Sequence, residues 1–496
     1  MMMGFRTPLV FGVNPFLFEL SYFLVLSLVG FLALKVSKPR PPTSSFKLND
    51  LDVFFTAVSS ATVSSMSTVE MEVFSNLQLI FITFLMFLGG ECFTSWLGLH
   101  LSMLKRERVM RREKNNIVHV ELGLATNNYY KPEVVVENLQ VDRDRDREEG
   151  CLRVLGRVIL SYILVVHILG STLVAMYIGL VSSAKHVLKH KAIQLTTFAV
   201  FTTVSTFSNC GFVPTNENMI AFNKNPGLLL ILIPQILLGN TLFPACLRLI
   251  IWFLDKTTGK SEFKHILLLG TPNSYAHLFS AHRSKFLAAT VFGLIFLQFA
   301  LFLSLEWHSH SIAGLTPYEK LVGSLFVVVN SRHAGESTVD LSLLAPPILP
   351  LIVVMMYLQP ETTFLPIRDE DNNSKIEGFS PKKINTIEKI LLSPLGNLAI
   401  FTILICITER EKMKEDPLNF SVLHIVFEVI SAYGNVCFST GYSCARQIKP
   451  DGQCQDKLFG LVGKWSNKGK FILIIVMLFG RLNKYHMRGG KAWKLS

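Results

Sequence analysis

Charge is what this chain has little of. Only 17% of its 496 residues are charged, against about 25% in soluble domains, which excludes a surface that faces water on every side. Metal-spaced cysteines are missing too. The 8 cysteines are scattered, with no CxxC pair and no Cys/His cluster, which removes zinc-site and dithiol frameworks. No Walker A loop, HExxH helix or GxSxG elbow is present, so the common hydrolase chemistries lack their residues. The chain reads as a non-enzyme with no cofactor. The first apolar run, Phe16–Val36, also lacks an obvious small-residue cleavage site and reads as a retained helix, not a signal peptide.

What is present is apolar length. Half the residues are hydrophobic, with long runs at Phe16–Val36, Leu79–Gly90, Val158–Val181, Leu228–Leu254, Phe286–Leu305 and Ile387–Ile407. A helix needs roughly 20 mostly apolar residues to cross a bilayer, so a multi-pass membrane protein is expected, with the lipid bilayer as its solvent. The net charge of +12 follows from basic cytoplasmic loops. Lys105, Arg106, Arg108, Arg111, Arg112 and Lys114 follow the second span, which places that loop and the N-terminus in the cytoplasm; an even number of spans returns the C-terminus there. Because these cations flank spans, nucleic-acid binding is not expected. The run DRDRDREE at Asp142–Glu149 mixes charges without periodicity and reads as a solvated, unstructured linker.

An internal repeat organises the chain. VSSATVSSM (Val58–Met66), VSTFSNCGF (Val204–Phe212), VNSRHAGE (Val329–Glu336) and ISAYGNVCF (Ile430–Phe438) are four short small-residue segments. The second and fourth align at Ser205/Ser431, Phe207/Tyr433, Asn209/Asn435 and Phe212/Phe438, and the key positions are Ser65, Gly211, Gly335 and Cys437. Each follows an apolar stretch too short to span: Leu51–Ala61, Ile193–Phe207, Tyr318–Val329 and Phe420–Tyr433. The expected fold is therefore all-α, with four units of helix, pore loop and helix around a central pore and eight transmembrane helices. The expected boundaries are 1–104, 152–256, 284–368 and 386–496 for the units, with cytoplasmic linkers at 105–151, 257–283 and 369–385.

Irregular backbone at membrane depth is tolerated where it is buried or lines a watery cavity. Four such loops around one axis can replace an ion's hydration shell with carbonyl oxygens. The short helices would turn their partly negative C-terminal ends toward that axis, which favours cations. Glycine at the key position allows the left-handed backbone that turns a carbonyl inward.

At these loops the chain resembles the plant high-affinity potassium transporters (HKT), relatives of the Trk/Ktr cation transporters. The stretches are TVSSMSTVEMEVFSN, STFSNCGFVPTNENM, GNTLFP, YEKLVGSLF, NSRHAGE, EVISAYGNV, TGYSC and IVMLFGR. The resemblance implies a plasma-membrane protein that passes sodium or potassium down its gradient, one filter residue per loop, and a homodimer. It also implies glycine at all four positions for potassium and serine at the first for sodium. Ser65, Gly211 and Gly335 fit the sodium pattern; Cys437 departs from it. Passive sodium transport is the expectation. The alternatives are a potassium-permeable or sodium–potassium co-transporting member, or a homologue impaired by Cys437.

On residues alone, Ser65 is either a filter residue or a small packing residue of a helix interface. Cys437 is either pore-facing or buried and inert. Arg481 closes a ten-residue apolar run and either faces the pore as a constriction, which the resemblance implies, or snorkels to the surface with Lys484 and Arg488. Glu70, Glu72, Glu217 and Glu336 either attract cations at the outer mouth or hydrogen-bond loop backbone. Asn209 and Asn435 read as loop braces, and His333 as a packed loop residue. Cys444 and Cys454, in the polar segment GYSCARQIKPDGQC, are either a disulfide or two free thiols. Asn419 opens a sequon that is at risk of burial. No metal is expected beyond the transported ion.

Overall fold

The computed structural model describes residues 15–40, 48–124, 132–269, 275, 277–358, 360, 362, 394–448, 454 and 456–484. It is helical throughout; among the described residues the one β-type pairing is the antiparallel bridge Tyr442–Lys457. The helices are α1 (Pro15–Val36), α2 (Asp50–Ala61), α3 (Asn76–Gly89), α4 (Glu91–Leu124), α5 (Pro132–Leu180) and α6 (Ser182–His190). They continue with α7 (Leu195–Phe207), α8 (Pro226–Gly239), α9 (Phe243–Thr258), α10 (Ser261–Leu269), α11 (Ala281–Glu306) and α12 (Pro317–Asn330). The chain then forms α13 (Ile348–Tyr357), α14 (Pro394–Thr408), α15 (Arg410–Glu415), α16 (Val422–Gly434) and α17 (Asn467–Lys484).

Local chemistry sets many of these boundaries. Ser75 and Gln78 form a capping box at α3, and Thr316 and Glu319 form one at α12; each satisfies two orphan backbone groups. Proline occupies the first turn of α8, α9 and α12, where its missing N–H costs nothing. Among the described residues three helical stretches are long and apolar enough to cross a membrane: Phe16–Val36, Arg147–Leu180 and Ala281–Glu306. Two bent pairs reach that length together: α3 with the start of α4, bent by 56°, and α8 with α9, bent by 86°. The expected single span Leu228–Leu254 is thus two helices. Gly239 and Asn240 end α8, Asn240 leaves helical geometry at φ −141° and ψ −86°, and Pro244 restarts the chain in α9.

The short helices are packed in a cyclic order. α3 lies against α7, α8 against α12, α13 against α16, and α17 against α2. Each unit's second helix therefore braces the next unit's short helix, and the fourth returns to the first. Apolar clusters fill these seams, such as Phe55, Val58, Val429, Leu473 and Met477 between α2, α16 and α17.

One linker differs from expectation. The run Asp142–Glu149 lies inside α5. Its charges are mostly of opposite sign at i,i+3 but mostly alike at i,i+4, so pairing along the helix is close to balanced; Glu149 also pairs with Arg153 at 3.2 Å. The linker 369–385, the start of Ile387–Ile407 and the basic tail with Arg488, Lys491 and Lys494 lie outside the described residues.

Candidate functional site

The four key positions share one uncommon backbone state. Ser65, Gly211, Gly335 and Cys437 have φ of 34°, 89°, 68° and 83°, all left-handed. Two residues earlier, Val63, Asn209 and Asn435 are left-handed as well, at 50°, 55° and 48°. Ser64, Cys210 and Val436 each donate their backbone N–H to the carbonyl five residues back, at 2.8, 2.9 and 3.1 Å. In the third loop the five-residue bond starts one position later, from Gly335 itself to Asn330 at 3.2 Å, and His333 is not left-handed. Three different sequences thus make one repeated loop, and the third loop is a shifted variant of it.

The loops touch in the order of their helices. A Cβ on Gly211 would collide with the Ala334 carbonyl, and one on Gly335 with the Val436 carbonyl. Here glycine is required by contact as well as by φ. That joins loop two to three and three to four. The same Cβ on Gly211 would lie 3.3 Å from the Ser65 hydroxyl, joining one to two. The Asn435 amide donates to the Ser64 hydroxyl at 2.6 Å, joining four to one. Loops two and four therefore face each other across the ring, and between them the Cys437 thiol donates to the Cys210 carbonyl.

Around the ring, the remaining expected residues separate. Asn435 braces two loops, whereas Asn209 bonds within its own, to the Phe207 carbonyl at 3.4 Å. His333 is buried against the Thr241 hydroxyl at 3.0 Å, which ties the third loop to the α8–α9 break. Glu336 is buried; it accepts from the Thr206 hydroxyl at 2.8 Å. Glu70, Glu72 and Glu217 belong to one cluster. Lys191 pairs with Glu72 at 2.7 Å and Glu217 at 2.6 Å, and Lys457 with Glu70 at 2.8 Å. Asn216 bridges them through Glu70 and Glu72. Burial pulls the Lys191 ammonium down, but Glu217 and Glu72 outweigh it and hold it above its ordinary range.

Cys444 and Cys454 form a disulfide. It lies within the hairpin closed by Tyr442 and Lys457, whose backbones exchange bonds of 2.9 and 2.8 Å. The staple thus steadies the segment that carries Lys457 to Glu70. Asn419 is buried, and both ends of its amide are engaged by Ser443, so its sequon has no free nitrogen for a glycan.

Arg481 does not snorkel. The residue is 2% exposed and its guanidinium donates to the Gly89 carbonyl at 2.6 Å, at the partly negative C-terminal end of α3. A signal in the sequence explains this meeting. Gly89, Gly239 and Gly480 each follow a large apolar residue, and a Cβ on any of them would strike the carbonyl of Ala61, Phe207 or Tyr433 at the end of a short helix. They are equivalent close-approach points, and Arg481 follows the third. Reading the repeat on the loops alone missed these glycines. It also missed Ser67-Thr68-Val69-Glu70, which recurs as Ser337-Thr338-Val339-Asp340 with the same 2.6 Å serine-to-carbonyl bond. Glu428 was missed as well; it is buried and accepts from Ser439 at 2.6 Å and the Thr440 N–H at 3.0 Å. An acid within the apolar stretch HIVFEVISAY was the available clue.

Known proteins share this sequence and architecture. Residues 135–487 match the TrkH family, described as cation transport protein. The chain is 48% identical, over 98% of its length and 92% of the relative's, to the cation transporter HKT1;3 of Oryza sativa subsp. japonica. It is 48% identical, over 93% of its length and 92% of the relative's, to the sodium transporter HKT1 of Arabidopsis thaliana. The crystal structure of the potassium transporter TrkH from Vibrio parahaemolyticus shares the fold, with a TM-score of 0.52 at 14% identity, over 97% of this chain and 86% of that one. The chain therefore belongs to the TrkH family of cation transport proteins, among the HKT-type transporters, and is a membrane transporter, not an enzyme.

Proposed function

We propose that this chain is a passive, channel-like sodium pathway of the plasma membrane, with Ser65, Gly211, Gly335 and Cys437 as its filter. The observation that carries the reading is the left-handed backbone shared by these four positions, in loops that touch in cyclic order. Left-handed backbone is how a short loop turns carbonyls to one side, and a ring of carbonyls is what replaces ion hydration. The four short helices end at these loops, so their partly negative ends add to the attraction for cations.

Sodium follows from Ser65. Its Cβ and hydroxyl take up space beside Gly211 where glycine would leave room. A larger ion that must exchange its whole shell for carbonyls loses more by this than a small ion that keeps some water and uses a hydroxyl. A relative at 48% identity is a sodium transporter by name. Arg481, near the α3 end, is a cationic constriction beyond the ring. The Glu70, Glu72 and Glu217 carboxylates outnumber Lys191 and Lys457, which leaves that cluster anionic and attractive to cations. Eight spans in four units (1–104, 152–256, 284–368 and 386–496), joined by cytoplasmic linkers, complete the arrangement. Both termini are cytoplasmic, and two copies form a homodimer with one pore in each.

Voltage clamp of oocytes expressing the chain tests the reading. The reversal potential is expected to follow external sodium and to ignore potassium. A reversal potential that follows potassium would replace the sodium reading with the potassium-permeable one.

A further inference from the structure

The ring has a regular contact rule. Gly211 lies against the carbonyl of Ala334, and Gly335 against the carbonyl of Val436. Both glycines thus meet the carbonyl that precedes the filter residue of the next loop. Cys437 reaches further. Its thiol donates to the carbonyl of Cys210, which precedes Gly211 on loop two, while Cys437 belongs to loop four. Contacts join loops one to two, two to three, three to four and four to one, so two and four are opposite. A thiol from one that bonds a carbonyl of the other lies across the middle of the ring.

We propose that Cys437 is a built-in bar across the filter: its thiol occupies the ion's path and takes up the Cys210 carbonyl, so conduction requires that contact to break. The inference rests on the ring being the conduction path and adds what limits flow through it. Two physical effects act together. Sulfur bonded to a carbonyl on the far side leaves no gap for a cation between them. The carbonyl so engaged is also withdrawn from ion coordination, where each oxygen replaces part of the hydration shell. The bar is reversible, because a neutral hydrogen bond has modest net strength. The expected phenotype is a low conductance per molecule in a protein that folds and reaches the surface. The ion preference would still be set by the oxygens of the other positions and by Ser65.

Cys437 also carries its side chain at φ 83°, so a glycine variant relieves strain as well as removing sulfur. Cys437→Ala separates the two, since it keeps the Cβ and loses the reach. The test is sodium current in voltage-clamped oocytes, divided by surface-biotinylated protein, for the full chain and its Cys437→Ala and Cys437→Gly variants. Both variants are expected to raise current per surface molecule about fivefold, the population shift that one lost hydrogen bond permits. An increase in the glycine variant alone would assign the limit to backbone strain and overturn the proposal. No increase in either variant, with both at the surface, would overturn it too. The sodium reading fails separately: a reversal potential that follows potassium in a variant whose current has risen sinks that reading and leaves the bar intact.

Discussion

A side chain on left-handed backbone costs about 1–2 kcal/mol in an L-residue, and the ring holds two of them, Ser65 and Cys437. Gly211 and Gly335 face a harder limit, because their Cβ positions are filled by the Ala334 and Val436 carbonyls. Overpacking of this kind costs about 1–3 kcal/mol. Gly211→Ala is therefore expected to abolish sodium current while lowering surface protein only in part, which current and biotinylation together report. Normal current in that variant would deny the close approach of loops two and three. Arg481 makes a different prediction. Arg481→Gln removes a cation from beyond the ring and weakens the bond to the Gly89 carbonyl, so larger or less rectified currents are expected. An unchanged current–voltage curve would leave Arg481 as a helix-end brace only.

At the scale of elements, the four loops and their short helices were legible because small residues recur after apolar stretches too short to span. α2, α7, α12 and α16 fall where the pattern put them. The break between α8 and α9 was not legible, because the polar dip at GNTLFP is short and the run is apolar on both sides of it, while Gly239 and Pro244 end and restart the helix. The charge run inside α5 reads as mixed charge without periodicity, so its helix was not legible. Among site residues, the pairing of Glu70, Glu72 and Glu217 with Lys191 and Lys457 could not be read, since partners up to 387 residues apart meet only through the fold. The same is true of Asp52 on α2 and Lys470 on α17, a buried pair at 2.7 Å. Removing one partner of such a pair costs about 3–5 kcal/mol. Lys470→Leu is expected to lower thermal stability in detergent strongly, and the double variant Asp52→Leu/Lys470→Leu to recover most of the loss. A double variant no better than the single would mean the pair does not interact. The disulfide stabilises the hairpin next to Lys457. Closing a loop of about ten residues is worth about 3 kcal/mol. Cys444→Ser/Cys454→Ser is expected to make this segment protease-sensitive; protease resistance equal to that of the parent would show the staple to be dispensable.

At the scale of the whole molecule, the cyclic packing of α3, α8, α13 and α17 on successive short helices turns four local loops into one ring. Each loop has its own backbone bond and is also braced by a neighbour's carbonyl, hydroxyl or amide. On the proposed reading, selectivity is a property of the ring, and a change at one position is felt by ions that contact all four. Ser65 is where the sodium reading concentrates, and the reversal potential of Ser65→Gly, compared with the parent in sodium and then potassium baths, tests it most directly. The account predicts that the parent follows sodium alone and that the variant gains a clear response to potassium. A variant that keeps the parent's selectivity, with current intact, would contradict it.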